Sequence, residues 1–274
     1  MKNTFELVHV GINNNSHEES TQLANLLCTL FNLTPRHGGK SEFAGNYFEC
    51  MNMPFLGTHG HIAMQTEDLE AAIEELKEKG YTILAVGEMG IGNTTPTSVL
   101  AGLYLNKDAG EVTGKGAGLS CEGYERKCRA VERALTRIRA EHHTDPQELL
   151  AEGGGLEIAM MAGVFLGAVK EEMPVVLDGA ISCVAALAAY RIDCRVTDYL
   201  LPSHMSGEGT GAMALSALGL QAPVRAGMRL GEGTGALTLF PLLSMAMEVY
   251  ERMGTFTDYE IRSYERFQEE IPEA

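Results

Sequence analysis

Apolar positions alternate over residues 5–12 and then recur at helical spacing over 16–32, where Leu23, Leu26, Leu27, Leu30 and Phe31 fall on one side. This predicts a strand followed by an amphipathic helix. Strand-like runs return at 43–51 and 61–65, and a second amphipathic helix over 69–79 is stopped by Gly80. From residue 81 the texture changes. An apolar run at 82–86 feeds the segment GEMGIGNTT (87–95), after which a helical pattern begins with Thr95 placed to cap it and Pro96 at its first position. Residues 107–123, centred on GKGAG (114–118), read as a long functional loop, and 122–141 as a charged helix carrying Lys127. Asp145-Pro146 opens a new segment. Small residues lie on every side of 156–170, which predicts a helix buried all round; 174–177 is an unbroken apolar run, as a strand covered on both faces requires. A small-residue helix at 182–190, a strand at 199–201, a helix at 212–218, a strand-like run at 224–230 and a long apolar helix after 236 complete the chain.

Strand, polar turn and helix thus recur at least four times. The pattern predicts an α/β architecture over residues 84–274, a Rossmann-like parallel sheet with helices on both faces, preceded by a small α+β module over 1–83. Polar groups at the carboxyl ends of parallel strands converge, so Glu88, Asp178, Ser206 and Glu232 are expected in one crevice. Glu232 stands out because RLGEGTGA (229–236) frames it with glycines directly ahead of a helix whose first amides point back at it. That setting suits a ligand bearing an anion and a proton to be removed. The plain alternative is a turn into a helix with an exposed carboxylate. GEGTGA also occurs at 207–212, which suggests two helix starts built with similar chemistry.

Composition narrows the partners. The 274 residues, 45% hydrophobic, suffice for a sizeable core, and a net charge of -16 with pI near 4.9 argues against nucleic acid and anionic membranes. Six cysteines without a CxxC pair read as reduced thiols, the N-terminus has no signal-like apolar region, and the longest apolar run (158–169) is too short and too rich in Gly and Ala to span a bilayer. A cytoplasmic protein is expected. Phosphate, if bound, must find a local site of backbone amides in glycine turns, which require no net positive charge. His9, Glu49 and His61 could together hold a divalent metal, or be ordinary strand residues.

The order of strand His, strand Glu and a His opening the next βα unit is similar to glyoxalase-like (vicinal oxygen chelate) modules, especially the accessory module of some bacterial keto-deoxy-phosphogluconate aldolases. That superfamily pairs two βαβββ units around its metal; here the second is cut short. Over residues 82–260, GEMGIGNTT (87–95), GGLEIAMMAG (154–163), PVVLDG (174–179), YLLPSHMS (199–206) and RLGEGTGA (229–236) strongly resemble the nicotinate-nucleotide:dimethylbenzimidazole phosphoribosyltransferase (CobT) family of cobamide assembly. The resemblance implies transfer of the phosphoribosyl group of nicotinate mononucleotide to 5,6-dimethylbenzimidazole or a related base, giving the α-riboside 5′-phosphate and nicotinate, without a cofactor and in a homodimer. It implies Glu232 as general base and Glu88 as a second acidic residue. It also implies a 5′-phosphate against Gly90, Gly116, Gly179 and Ser206 with Lys127 supplying charge, and a flat base against Met89 and Leu230. Family members carry a substantial N-terminal portion where this chain has its glyoxalase-like module, so the parallel sheet is expected to be incomplete. The alternatives are a non-catalytic nucleotide-binding remnant and a metal-dependent activity of the first module.

Overall fold

The computed structural model describes residues 6–38, 41–46, 48–52, 60–65, 69–116, 118–260 and 262. In the first part, β1 (Glu6–Asn13) leads into α1 (His17–Phe31), which Ser16 caps by accepting the Glu19 N–H and which ends at Asn32 in the left-handed conformation. β2 (Pro35–His37), β3 (Ser41–Ala44), β4 (Phe48–Met51) and β5 (Gly60–Gln65) follow, in the spatial order β2-β3-β4-β1-β5. The run expected as one strand over 43–51 is instead an antiparallel hairpin of β3 and β4, because Gly45 at φ +60° reverses the chain. β2, unforeseen, pairs with β3.

β1 runs parallel to β4 and antiparallel to β5, and the register sets Glu49 and His61 on either side of Gly11. Glu49 accepts a hydrogen bond from the Ser41 hydroxyl at 2.8 Å. The side chains of His9 and His61 lie outside the described residues. Among the described residues, no group of His, Cys, Asp and Glu is arranged to hold a metal ion.

α2 (Leu69–Glu78), closed by Gly80 at φ +87°, packs against a later helix, α7 (Leu156–Lys170), and the Lys77 ammonium bonds the Glu171 backbone carbonyl at that helix's end. The second sheet consists of β6 (Leu84–Ala85), β7 (Val175–Leu177) and β8 (Leu200–Pro202), all parallel in the order β6-β7-β8. Between β6 and β7 lie α3 (Thr94–Leu105), α4 (Ala109–Val112), α5 (Cys121–Ala140), α6 (Pro146–Gly153) and α7; α8 (Ala180–Ile192) joins β7 to a 3-10 turn ahead of β8, and α9 (Gly209–Ala217) and α10 (Thr234–Arg252) follow. α4 lies inside the segment expected as loop, made by a capping box between Asp108 and Glu111. The run at 224–230 is not a strand. Val224 makes one parallel bridge to His204, after which Gly227 at φ +63° turns the chain away.

β7 shows why this sheet is sandwiched. Val175 and Leu177 enter a large core with Leu100, Val131, Ile158, Phe165 and Leu187, whereas Val176 points to the other face, against Ala236 and Leu239 of α10. Each such large side chain, wholly buried, contributes about 1.5–3 kcal/mol of transfer free energy. Helices therefore cover both faces, as the unbroken apolar run requires. α7 is not buried all round, since Leu156 is 90% and Met160 52% exposed. The outer side of α10 likewise leaves Leu237, Met245, Val249 and Tyr250 exposed.

Candidate functional site at the carboxyl edge of the parallel sheet

Every strand of the second sheet ends at the same edge, and the turns that follow form a cleft of about 760 Å³ including its open mouth. Glu88, Met89 and Gly90 come from the turn after β6, Gly116 from the loop after α4, Gly179 from the end of β7, Ser206 from the turn after β8, and Leu230 from the return segment before α10. Asp178, His204, Glu208 and Arg229 supply its other ionisable side chains. Two expected residues do not line it: Glu232 and Lys127. α3 begins two residues before its expected start, with Asn93 rather than Thr95 in the cap position and Pro96 within its first turn, where a missing N–H costs no hydrogen bond.

Asp178 decides what the edge can bind. Its carboxylate is 2% exposed and accepts the N–H groups of Gly233 at 2.9 Å, Gly235 at 2.8 Å and Ala236 at 3.3 Å, the opening turn of α10. The amides that the sequence pattern offers to a ligand are thus consumed by a side chain from the end of β7, and the dipole of α10 is neutralised by an internal carboxylate. α8 is different. Its cap, Gly179, supplies no side-chain bond, and Ala180 and Ile181 of its first turn line the cleft. Of the two helix starts, that of α8 faces the cleft with its amides available.

Glu232 sits next door. Gly231, Glu232 and Gly233 all adopt left-handed backbone (φ +81°, +61° and +77°), and the Glu232 N–H donates to the Glu88 carbonyl at 2.8 Å. A side chain at Gly87 could not coexist with this arrangement, because its Cβ would stand 2.2 Å from the Gly233 nitrogen. Glu232 is half-buried and lines a second depression with Val86, Gly87 and Leu237. Glu88 and Met89 border both this depression and the cleft. The twin hexapeptide behaves otherwise. Glu208 has φ −91° and ψ 123°, and α9 starts at the following glycine, so the same six residues make two different helix starts.

Lys127 is buried behind the glycine loop rather than in the cleft. Its ammonium donates to Thr94 Oγ1 at 3.0 Å and to the Gly114 carbonyl at 2.9 Å, and burial pulls its pKa down while the Glu208 carboxylate holds it up. The cation therefore ties α3 to the loop and places its field under Gly116. Glu208 reaches the same loop from the other side, accepting the Gly116 N–H at 2.8 Å.

His204 was not marked by any spacing. It is 3% exposed, its Nδ1 lies 3.0 Å from Ser203 Oγ, and its ring packs so closely on Gly235 that a Cβ there would come within 2.0 Å of Nδ1. Burial lowers its pKa, opposed by the Asp178 charge. The neutral imidazole is favoured. Because the folded state resists protonation while the unfolded chain takes up a proton near the ordinary value of 6.5, stability should fall as pH drops below that value. The slope contributed is at most about 1.4 kcal/mol per pH unit, and His204→Gln should flatten it in urea unfolding series between pH 7 and 5. An unchanged slope in the variant would show that His204 protonates freely.

The chain is similar to known proteins over most of its length. The family model described as "Phosphoribosyltransferase" matches residues 60–261. Nicotinate-nucleotide--dimethylbenzimidazole phosphoribosyltransferases from Ruminiclostridium cellulolyticum and Acetivibrio thermocellus are 42% and 41% identical, over 72% and 70% of this chain and 56% and 55% of theirs. The crystal structure of CobT from Thermus thermophilus superposes with a TM-score of 0.65 at 37% identity, covering 71% of this chain and 57% of that one. The chain thus spans about half the length of the relatives it matches. With its glycine turns gathered at one sheet edge and the family match running through all of them, the chain belongs to the phosphoribosyltransferase family.

Proposed function

We propose that this chain transfers the phosphoribosyl group of nicotinate mononucleotide to 5,6-dimethylbenzimidazole or a related base, releasing nicotinate and the α-riboside 5′-phosphate. The observation that carries the reading is the shared wall of the two hollows. Glu88 and Met89 separate a cleft rich in glycine turns from a depression that holds the Glu232 carboxylate. The 5′-phosphate lies among Gly90, Gly116, Gly179 and Ser206, drawn by the open end of α8 and by the field of Lys127. The flat base lies against Met89 and Leu230, both exposed apolar side chains.

Glu232 removes the N–H proton of the base while the other ring nitrogen attacks C1′ of the ribose and nicotinate departs with the bonding electrons. A neutral benzimidazole is a weak nucleophile while it keeps that proton, so a carboxylate in reach is the group the step needs. Glu88 supports the positive charge that builds on the ribose. The chemistry belongs to residues 84–274, with 1–83 as an accessory module. The chain works as a homodimer in the cytoplasm; the exposed Leu237, Met245, Val249 and Tyr250 of α10 favour an apolar partner surface, and the six free cysteines a reducing compartment.

Incubating the purified chain with nicotinate mononucleotide and dimethylbenzimidazole should release nicotinate and form an α-riboside phosphate in equal amounts. Calorimetric binding of the mononucleotide without release would instead mark a binding protein that does not turn over.

A further inference from the structure

The cleft poses an electrostatic problem for any phosphate. Glu88, Asp178 and Glu208 line it, and among the described lining residues Arg229 alone opposes them with a full positive charge. Asp178 is spoken for by the α10 amides, and the Glu88 carboxylate folds back onto the Gly90 N–H within its own turn. Glu208 is the one that reaches across, from the start of α9 to the glycine loop. Its Oε1 accepts the Gly116 N–H at 2.8 Å, and its other oxygen lies so near Gly114 that a Cβ there would stand 2.0 Å from it. Gly116 is in left-handed conformation, the kind of turn that directs an amide at an anion. Lys127 completes the setting from behind through the Gly114 carbonyl, and the Glu208 charge favours its protonated form. A carboxylate held by a glycine-loop amide over a buried ammonium has the surroundings of a bound phosphate oxygen.

We propose that Glu208 is an internal competitor for the substrate's phosphate: it occupies the Gly116 amide, and the phosphate must displace it to bind. This rests on the phosphoribosyl reading of the cleft. Displacement is mechanically available. Glu208 is half-buried between the exposed Gly207 and Gly209, a Cβ on Gly209 would meet nothing within 4 Å, and the Glu208 side chain does not cap its own helix. Exchange also keeps an anion over Lys127, since the phosphate takes the place of the carboxylate. The consequence is selectivity. A dianionic phosphate bonded by several amides can evict a single carboxylate, whereas a ligand bearing one carboxylate gains nothing by replacing it.

The test measures inorganic phosphate and ribose 5-phosphate binding by calorimetry to the full chain and to Glu208→Gln and Glu208→Ala, each checked for folding by thermal unfolding. Removing a charge-assisted competitor should tighten phosphate binding on the order of tenfold in Glu208→Ala, and by less in Glu208→Gln, which keeps a neutral acceptor. Should the alanine variant not fold, the glutamine variant decides by the direction of its shift. Equal or weaker phosphate binding in the folded variants would overturn the competitor role, making Glu208 a structural brace of the loop. Absence of phosphate binding to all three proteins would overturn the phosphate reading of the cleft itself, and this role with it.

Discussion

Replacing Asp178 with alanine should destabilise the protein by about 3–5 kcal/mol, the range seen when a buried charged partner is removed and several donors are left without acceptors. Three backbone amides at the head of α10 lose their acceptor at once, in a place that is 2% exposed and where water has little room to replace it. The small cluster of Val176, Ala236 and Leu239 should loosen with them, because α10 is fixed to the sheet from that end. Asp178→Asn keeps one acceptor oxygen and should lose roughly half as much. Urea unfolding reports both values, and amide hydrogen exchange at Gly233, Gly235 and Ala236 should speed up in step. A loss under about 1 kcal/mol would mean that the amides find other partners and that α10 is held by its apolar face alone.

Glu232→Gln should lower kcat/KM for α-riboside phosphate formation by about 10²–10⁴-fold, the usual contribution of a positioned general base. The substitution conserves shape and hydrogen-bonding reach but cannot accept the proton of the base. Its left-handed backbone and its N–H bond to the Glu88 carbonyl need no side-chain charge, so the turn should survive. Affinity for nicotinate mononucleotide should change little, since Glu232 lies outside the cleft that holds it in this reading. Steady-state rates with calorimetric binding separate the two effects. Wild-type turnover in the variant would remove Glu232 from proton transfer; a large loss of mononucleotide affinity would relocate it to substrate binding.

The longer elements were legible because their identity rests on local patterning. The unbroken apolar run of β7 announced a sheet covered on both faces, Gly80 marked the end of α2, and Asp145-Pro146 marked the start of a new segment, which is α6. The cleft too was legible in outline, since Glu88, Gly90, Gly179 and Ser206 each follow a strand and all such ends share one edge. Errors came where a glycine in left-handed conformation, Gly45 or Gly227, turned the chain inside an apolar run. Residues 224–230 have strand-like composition but keep a single bridge, and 43–51 folds back at Gly45.

The twin GEGTGA segments mark the limit most clearly. Sequence alone determined that each precedes a helix and frees a glutamate between glycines. It could not determine that Glu232 would take a left-handed turn beside Glu88, or that Glu208 would stay extended and cross to Gly116. Those outcomes were decided by what the rest of the fold brings to each site. The Asp178 carboxylate fixes the amides of α10, the backbone of Gly87 presses on Gly233, and the glycine loop anchored by Lys127 offers Glu208 an amide. Glycine-rich segments have many conformations of similar energy, so a few hydrogen bonds from distant parts of the chain are enough to choose among them.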